Sequence, residues 1–158
     1  MKRLKIEKDK GASDLLAHYI HRPIENKIVL YLMKTRITPN QITVLTNIVA
    51  YIVAALYFLG FLLPGSILSF AVGLMDGLDG KLARAKNLTT KLGKMEHAFD
   101  LLFEFSWLIA LSLFLHRSSG EALSLIFCLF SILFISFYRY CYDTFSRAMN
   151  TSLDRQVL

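Results

Sequence analysis

Residues 42–63 read ITVLTNIVAYIVAALYFLGFLL, twenty-two positions without a charged side chain. At 1.5 Å per residue a helix of this length rises about 33 Å, enough to cross a ~30 Å hydrocarbon layer. The chain is therefore read first as a membrane protein. Thr38-Pro39-Asn40-Gln41 precedes the stretch, with a polar cap and a proline suited to a first helical turn. Leu63-Pro64-Gly65-Ser66 is expected to end it and turn the chain. Working outward, an apolar run at 67–75 is too short to span alone and meets Asp76, Asp79, Lys81 and Arg84. A third segment starts near Lys91 and carries Glu96, Asp100 and Glu104 before a clean run at 105–115. The fourth, 122–138, is uncharged and is followed at once by Arg139. The expectation is an all-α polytopic membrane bundle of four spanning helices.

The composition agrees. Of 158 residues, 54% are hydrophobic and 19% charged, with net charge +6. A soluble domain is ~45–50% apolar and ~25% charged. Disorder, a disulfide scaffold and a free nucleic-acid-binding domain are excluded, so no nucleic-acid partner is expected. Cys128 and Cys141 both lie in an apolar stretch and give no metal-thiolate spacing. The first forty residues hold Lys2, Arg3, Lys5, Lys8, Lys10, Arg22, Lys27, Lys34 and Arg36, half of the 18 basic residues. Within them, residues 20–37 carry apolar positions at helical spacing and read as an amphipathic helix on an anionic membrane surface. Seventeen basic residues lie in this arm, in the 81–94 stretch or after Tyr138, and only Arg117 lies in an opposite-side loop. The positive-inside rule then puts both termini in the cytoplasm, as expected for a prokaryotic cytoplasmic membrane. On that topology the glycosylation patterns at Asn87 and Asn150 go unused. The expected organisation is a basic arm with its interfacial helix (1–40), a transmembrane catalytic bundle (41–143) and a cytoplasmic tail (144–158).

The chemistry is expected in Asp76-Gly77-Leu78-Asp79-Gly80-Lys81-Leu82-Ala83-Arg84 and Gly93-Lys94-Met95-Glu96-His97-Ala98-Phe99-Asp100. A charge at membrane depth costs about 2.5–3.5 kcal/mol even on insertion scales, so four acids need a compensating cation. Asp76 and Asp79 share a helix face, as do Glu96 and Asp100, and Glu104 continues the second stripe. Hard oxygen donors without His or Cys suit Mg²⁺, Mn²⁺ or Ca²⁺, and four carboxylates suffice to bridge two ions. Gly77 and Gly80 let a ligand or another helix approach the backbone. Arg84 could bind a phosphate bidentately, with Lys81, Lys86, Lys91 and Lys94 adding positive field. An ion-pair network that merely joins two helices is the bland alternative.

The pattern Asp-x-x-Asp-Gly-x-x-Ala-Arg resembles the first half of the CDP-alcohol phosphotransferase signature, matched at Asp76, Asp79, Gly80, Ala83 and Arg84. Arg36-Ile37-Thr38-Pro39-Asn40-Gln41-Ile42-Thr43 is similar to that family's entry into its first membrane helix. The resemblance covers about residues 14 to 142. In the second half, Gly93 would place the later acids at His97 and Leu101; the shorter spacing places them at Glu96 and Asp100, which restores two acids on one face. Members typically have six membrane helices, and this chain offers four. A compact member, a chain completed by partner subunits and a truncated inactive relative are the expectations left open.

The resemblance implies transfer of a substituted phosphoryl group, such as phosphatidyl, from a CDP-alcohol such as CDP-diacylglycerol to a polar alcohol, releasing CMP, in phospholipid biosynthesis. It implies that Asp76, Asp79, Glu96 and Asp100 hold one or two Mg²⁺ or Mn²⁺ ions against the diphosphate. Gly80, Ala83 and Arg84 line the nucleotide site, and Asp100 is the general base for the acceptor hydroxyl. Membrane lipids surround the chain, and members commonly dimerise. His97 is expected to pack. Arg139 is either an anchor or an acceptor-phosphate ligand, and His18, Arg22 and Glu25 could cover the cytoplasmic mouth of the site but are expected on a solvated face. Tyr138, Tyr140 and Tyr142 suit an interfacial belt, and Trp107 faces lipid or packs. A cation path is the reading from another class, but a fixed arginine beside the acids opposes it.

Overall fold

The computed structural model describes residues 22–88 and 96–149, and among them every regular element is an α-helix. The order is α1 (Arg22–Leu32), α2 (Pro39–Leu59), α3 (Leu62–Ala85), α4 (Glu96–Ser119) and α5 (Leu123–Met149). The last four are long and apolar enough to cross a membrane. Their outward side chains are apolar, as at Leu63, Phe134 and Phe137, which suits a lipid solvent.

The cap expected before α2 is present. Thr38 Oγ1 accepts from the Gln41 N–H, and the Gln41 side chain accepts from the Thr38 N–H at 2.9 Å, with Pro39 opening the helix. Two orphan donors are thereby settled, and Pro39 has no N–H to leave unpaired. Within α2 two polar side chains bond to the helix itself: Thr46 Oγ1 donates to the Ile42 carbonyl and Asn47 Nδ2 to the Thr43 carbonyl, both at 2.9 Å.

The next boundary differs from expectation. The chain turns at Gly60, whose φ of +88° is left-handed, while the Phe61 N–H returns to the Leu56 carbonyl at 2.9 Å and the Gly60 N–H to the Tyr57 carbonyl at 3.1 Å. This pair of bonds closes a helix end most readily at glycine. Pro64 and Gly65 lie inside the first turn of α3, and Ser66 follows in the same helix. A proline there removes a donor that had no helical partner in any case. The apolar run thought too short to span and the acid motif are therefore one 24-residue helix. Likewise α5 does not stop at Arg139 but runs on to Met149.

α2 is the centre of the bundle. α3 and α4 both pack on it, α5 packs on α4, and α1 packs on α3. One buried cluster joins Ala50 and Val53 of α2 to Val72 of α3 and Phe103 of α4. Trp107 packs rather than facing lipid: its ring lies 5.1 Å from Phe103, and its Nε1–H donates to the Ala50 carbonyl at 2.7 Å. A second cluster, Val29, Ile42, Leu78 and Leu82, seats α1 against α2 and α3. At the far end, the Arg117 guanidinium lies over the Phe58 ring and donates to the Phe58 carbonyl at 3.0 Å. Arg117 thus caps the C-terminus of α2, where a cation is favoured. Of the three tyrosines expected in a belt, Tyr138 and Tyr140 are exposed on α5 and Tyr142 is half-buried.

Candidate functional site

The site follows from how α3 is turned. At 3.6 residues per turn, Asp76, Asp79, Gly80 and Ala83 share one face, and Gly77, Leu78, Lys81, Leu82 and Ala85 share the opposite one. The second face takes α1, so the acid face looks toward the rest of the bundle.

Asp79 is the most enclosed of the described motif acids, at 5% exposure. Its Oδ2 accepts from Thr43 Oγ1 of α2 at 2.5 Å, and its Oδ1 accepts from the Gly80 N–H at 2.6 Å. The Thr43 hydroxyl also lies 3.2 Å from the Pro39 carbonyl. Its single proton serves either acceptor. Each Asp79 oxygen keeps a second acceptor position.

Asp100 of α4 is half-buried and close enough to Asp79 for the two negative charges to repel. One turn along α4, Glu104 feels the negative charge of Asp100, and Arg139 of α5 approaches Glu104 at 3.6 Å. Arg139 is thus engaged with Glu104 of the acidic stripe. Asp76 and Ala83 are half-buried, as is Gly80, and Arg84 is exposed.

Among the described residues, no three His, Cys, Asp or Glu side chains converge as a metal-binding group. The side chains of Glu96 and His97 lie outside the described residues, as do Lys91, Lys94 and His18, and the side chain of Arg22. The described members of the expected ligand set, Asp76, Asp79 and Asp100, offer oxygen only, the donor chemistry that suits Mg²⁺ or Mn²⁺.

Two residues were missed by the sequence reading. Thr43 orients Asp79, and its signal was a polar stripe (Thr43, Thr46, Asn47) on an otherwise apolar helix. Glu25 was expected on a solvated face but is 6% exposed and forms an ion pair with Lys81 at 2.9 Å. Lys81 Nζ also reaches Asn26 Oδ1 at 2.8 Å, and Lys86 Nζ donates to the Thr35 and Ile37 carbonyls at 2.8 and 2.7 Å. Both lysines, expected to surround a phosphate, instead tie α1 and the following turn to α3.

The family model for CDP-alcohol phosphatidyltransferase matches residues 36–153. Over 146 residues, 87% of this chain and 33% of the relative, the chain is 32% identical to the bifunctional IPC transferase and DIPP synthase of Aquifex aeolicus. Over 85 residues, 53% of this chain and 19% of the relative, it is 38% identical to the protein of the same name from Thermococcus kodakarensis. Over 92 residues, 56% of this chain and 45% of the relative, it is 30% identical to the inner membrane protein YnjF of Escherichia coli. The chain spans about a third of the Aquifex relative's length and less than half of the other two.

Proposed function

The chain belongs to the CDP-alcohol phosphatidyltransferase family, and from that premise we propose that it transfers a phosphatidyl-type group from a CDP-alcohol to a polar alcohol, with release of CMP. The observation that carries the reading is that Asp76, Asp79, Gly80 and Ala83 of the first half-motif share one face of α3, with Asp79 fixed by Thr43 and set near Asp100 of α4. The family is generally dependent on divalent metal. In this reading Asp76, Asp79, Glu96 and Asp100 hold Mg²⁺ or Mn²⁺. Such an ion, when bound, supplies the positive charge that neutralises the diphosphate and the leaving CMP.

The chain's own groups do the rest. Thr43 holds the Asp79 carboxylate in one orientation. Gly80 and Ala83, lacking bulk, let the nucleotide approach α3, and exposed Arg84 pairs with a phosphate. Asp100 accepts the proton of the acceptor hydroxyl as that oxygen attacks the β-phosphorus. The positive-inside pattern opens this site to the cytoplasm, with donor lipid in the same membrane. Its role would be in phospholipid synthesis.

The test is direct. Purified protein, labelled CDP-diacylglycerol or a soluble CDP-alcohol, Mg²⁺ or Mn²⁺, and a panel of polar alcohols are expected to yield CMP, and EDTA is expected to stop it. The acceptors of the IPC transferase and DIPP synthase relatives belong on that panel. Absence of CMP with every donor and acceptor, alongside retained CDP binding, would instead support a non-catalytic relative or subunit.

Thr43→Val keeps the side-chain volume and removes the hydroxyl. A hydrogen bond to a charged group contributes about 1.5–3 kcal/mol, so CMP release should fall about tenfold or more. Thr43→Ser should retain most of the rate. Equal rates in the Val variant and the parent would remove Thr43 from the site.

A further inference from the structure

We infer that Glu25 of α1 is a positioning residue for the carboxylate site, acting through Lys81 and the backbone of Gly77; the inference rests on the functional reading above. Three observations converge on it. Glu25 and Lys81 form an ion pair at 2.9 Å with side-chain exposures of only 8% and 11%. A Cβ on Gly77 would lie 2.6 Å from Glu25 Oε1 and 2.8 Å from its carboxyl carbon. The Glu25 carboxylate therefore sits directly on the turn between Asp76 and Asp79, in a socket that only glycine leaves open. Finally, Val29 of α1 packs on Leu78 and Leu82, on the same face of α3.

The helical arithmetic says what this arrangement does. Gly77 and Lys81 point away from the acid face, so α1 does not cover the mouth of the site. It braces the motif from behind. Asp79 is held on its front by Thr43, and the turn that carries it is held at its back by Glu25 and Lys81. A buried ion pair is a poor source of net stability compared with apolar packing. It does fix register: the Glu25 carboxylate meets both the bare backbone at Gly77 and the ammonium one turn later only in one rotation of α3 against α1. The two glycines of the motif thus serve different neighbours, Gly80 on the acid face and Gly77 on the brace.

Breaking the brace should loosen the acids without dismantling the bundle. The experiment measures Mn²⁺ binding by electron paramagnetic resonance in the presence of CMP, CMP release, and thermal melting in detergent, for the parent chain, Glu25→Gln, Glu25→Gln/Lys81→Met and Gly77→Ala. The double variant leaves no unpaired buried charge and is expected to melt near the parent. Its Mn²⁺ affinity and its rate per folded molecule should each fall about 10–100-fold, the scale seen when a support of a metal ligand is removed. Gly77→Ala keeps both charges and only displaces Glu25, so it should fall in the same direction and carries the test if the double variant does not fold. Mn²⁺ affinity and rate within threefold of the parent, in whichever of these two variants folds, overturn the inference alone. A parent chain that binds no Mn²⁺ and releases no CMP overturns the functional reading, and the inference with it.

Discussion

Asp79→Asn is expected to abolish CMP release while leaving the helices assembled. The local bonding explains why the two effects separate. In the parent chain Asp79 accepts from Thr43 and from the Gly80 N–H. An asparagine of the same shape can accept from Gly80 through its oxygen and donate its amide N–H to Thr43. The Thr43 hydroxyl then turns its own proton to the Pro39 carbonyl, which already lies within reach. No buried polar group is stranded, and one charge at membrane depth disappears. Thermal stability should therefore be unchanged or slightly raised. The function needs that charge. Losing it should lower the rate by roughly 10²–10³-fold, the scale on which removal of one charge-stabilising group acts. CMP release and melting, measured on the same sample, check both halves. A variant that keeps more than about a third of the parent rate would take Asp79 out of the proposed machinery.

The second large effect is on stability. Gly60→Ala should destabilise the bundle by about 2–5 kcal/mol, summing ~1–2 for a side chain in the left-handed region and ~1–3 for displacing a packed neighbour. Gly60 has φ of +88°, and a Cβ there would overlap the Phe114 ring of α4. The position closes the α2–α3 turn and lets α4 pack over it, so one methyl group strains both. Replacing Phe114 by Leu in the same chain should recover the packing share and leave the backbone share. Melting in detergent measures each, and an unshifted melting temperature for Gly60→Ala would show that the turn adapts freely.

These two positions also show what could be read from the chain. The uncharged stretch at 42–63 announced its helix, and Thr38 with Pro39 announced where it starts, because both signals are local. The end of that helix was misplaced. Pro64-Gly65-Ser66 has the composition of a turn, yet proline is harmless in a first helical turn, and Gly60 looked inert among its apolar neighbours. The left-handed conformation of Gly60 closes the end of α2, and what makes it decisive is the Phe114 ring of α4 packed over it. The acids were located because charge inside an apolar helix is conspicuous. Their nearest supports were not, because a threonine in a membrane helix and a glutamate on a basic arm have many uses. Glu25 looked solvated until α3 supplied a glycine and a lysine to receive it. The lysines were misread for the same reason: Lys81 and Lys86 are as basic in a latch as beside a phosphate, and only the carboxylate and carbonyls opposite them distinguish the two.

The way α2 satisfies its own polar side chains bears on the order in which the molecule is assembled. Thr43, Thr46 and Asn47 can all bond to carbonyls one turn back on the same helix. These three side chains bring no stranded donor into hydrocarbon before a partner helix is there. α3 differs, since within its own helix the Asp79 carboxylate draws on backbone N–H groups at the motif itself. It gains its hydroxyl partner when it docks on α2, by a rotation of Thr43 away from Pro39. The stand-alone helix thus serves as the template on which the charge-bearing one matures, and an insertion defect in α2 should strand α3 rather than the reverse.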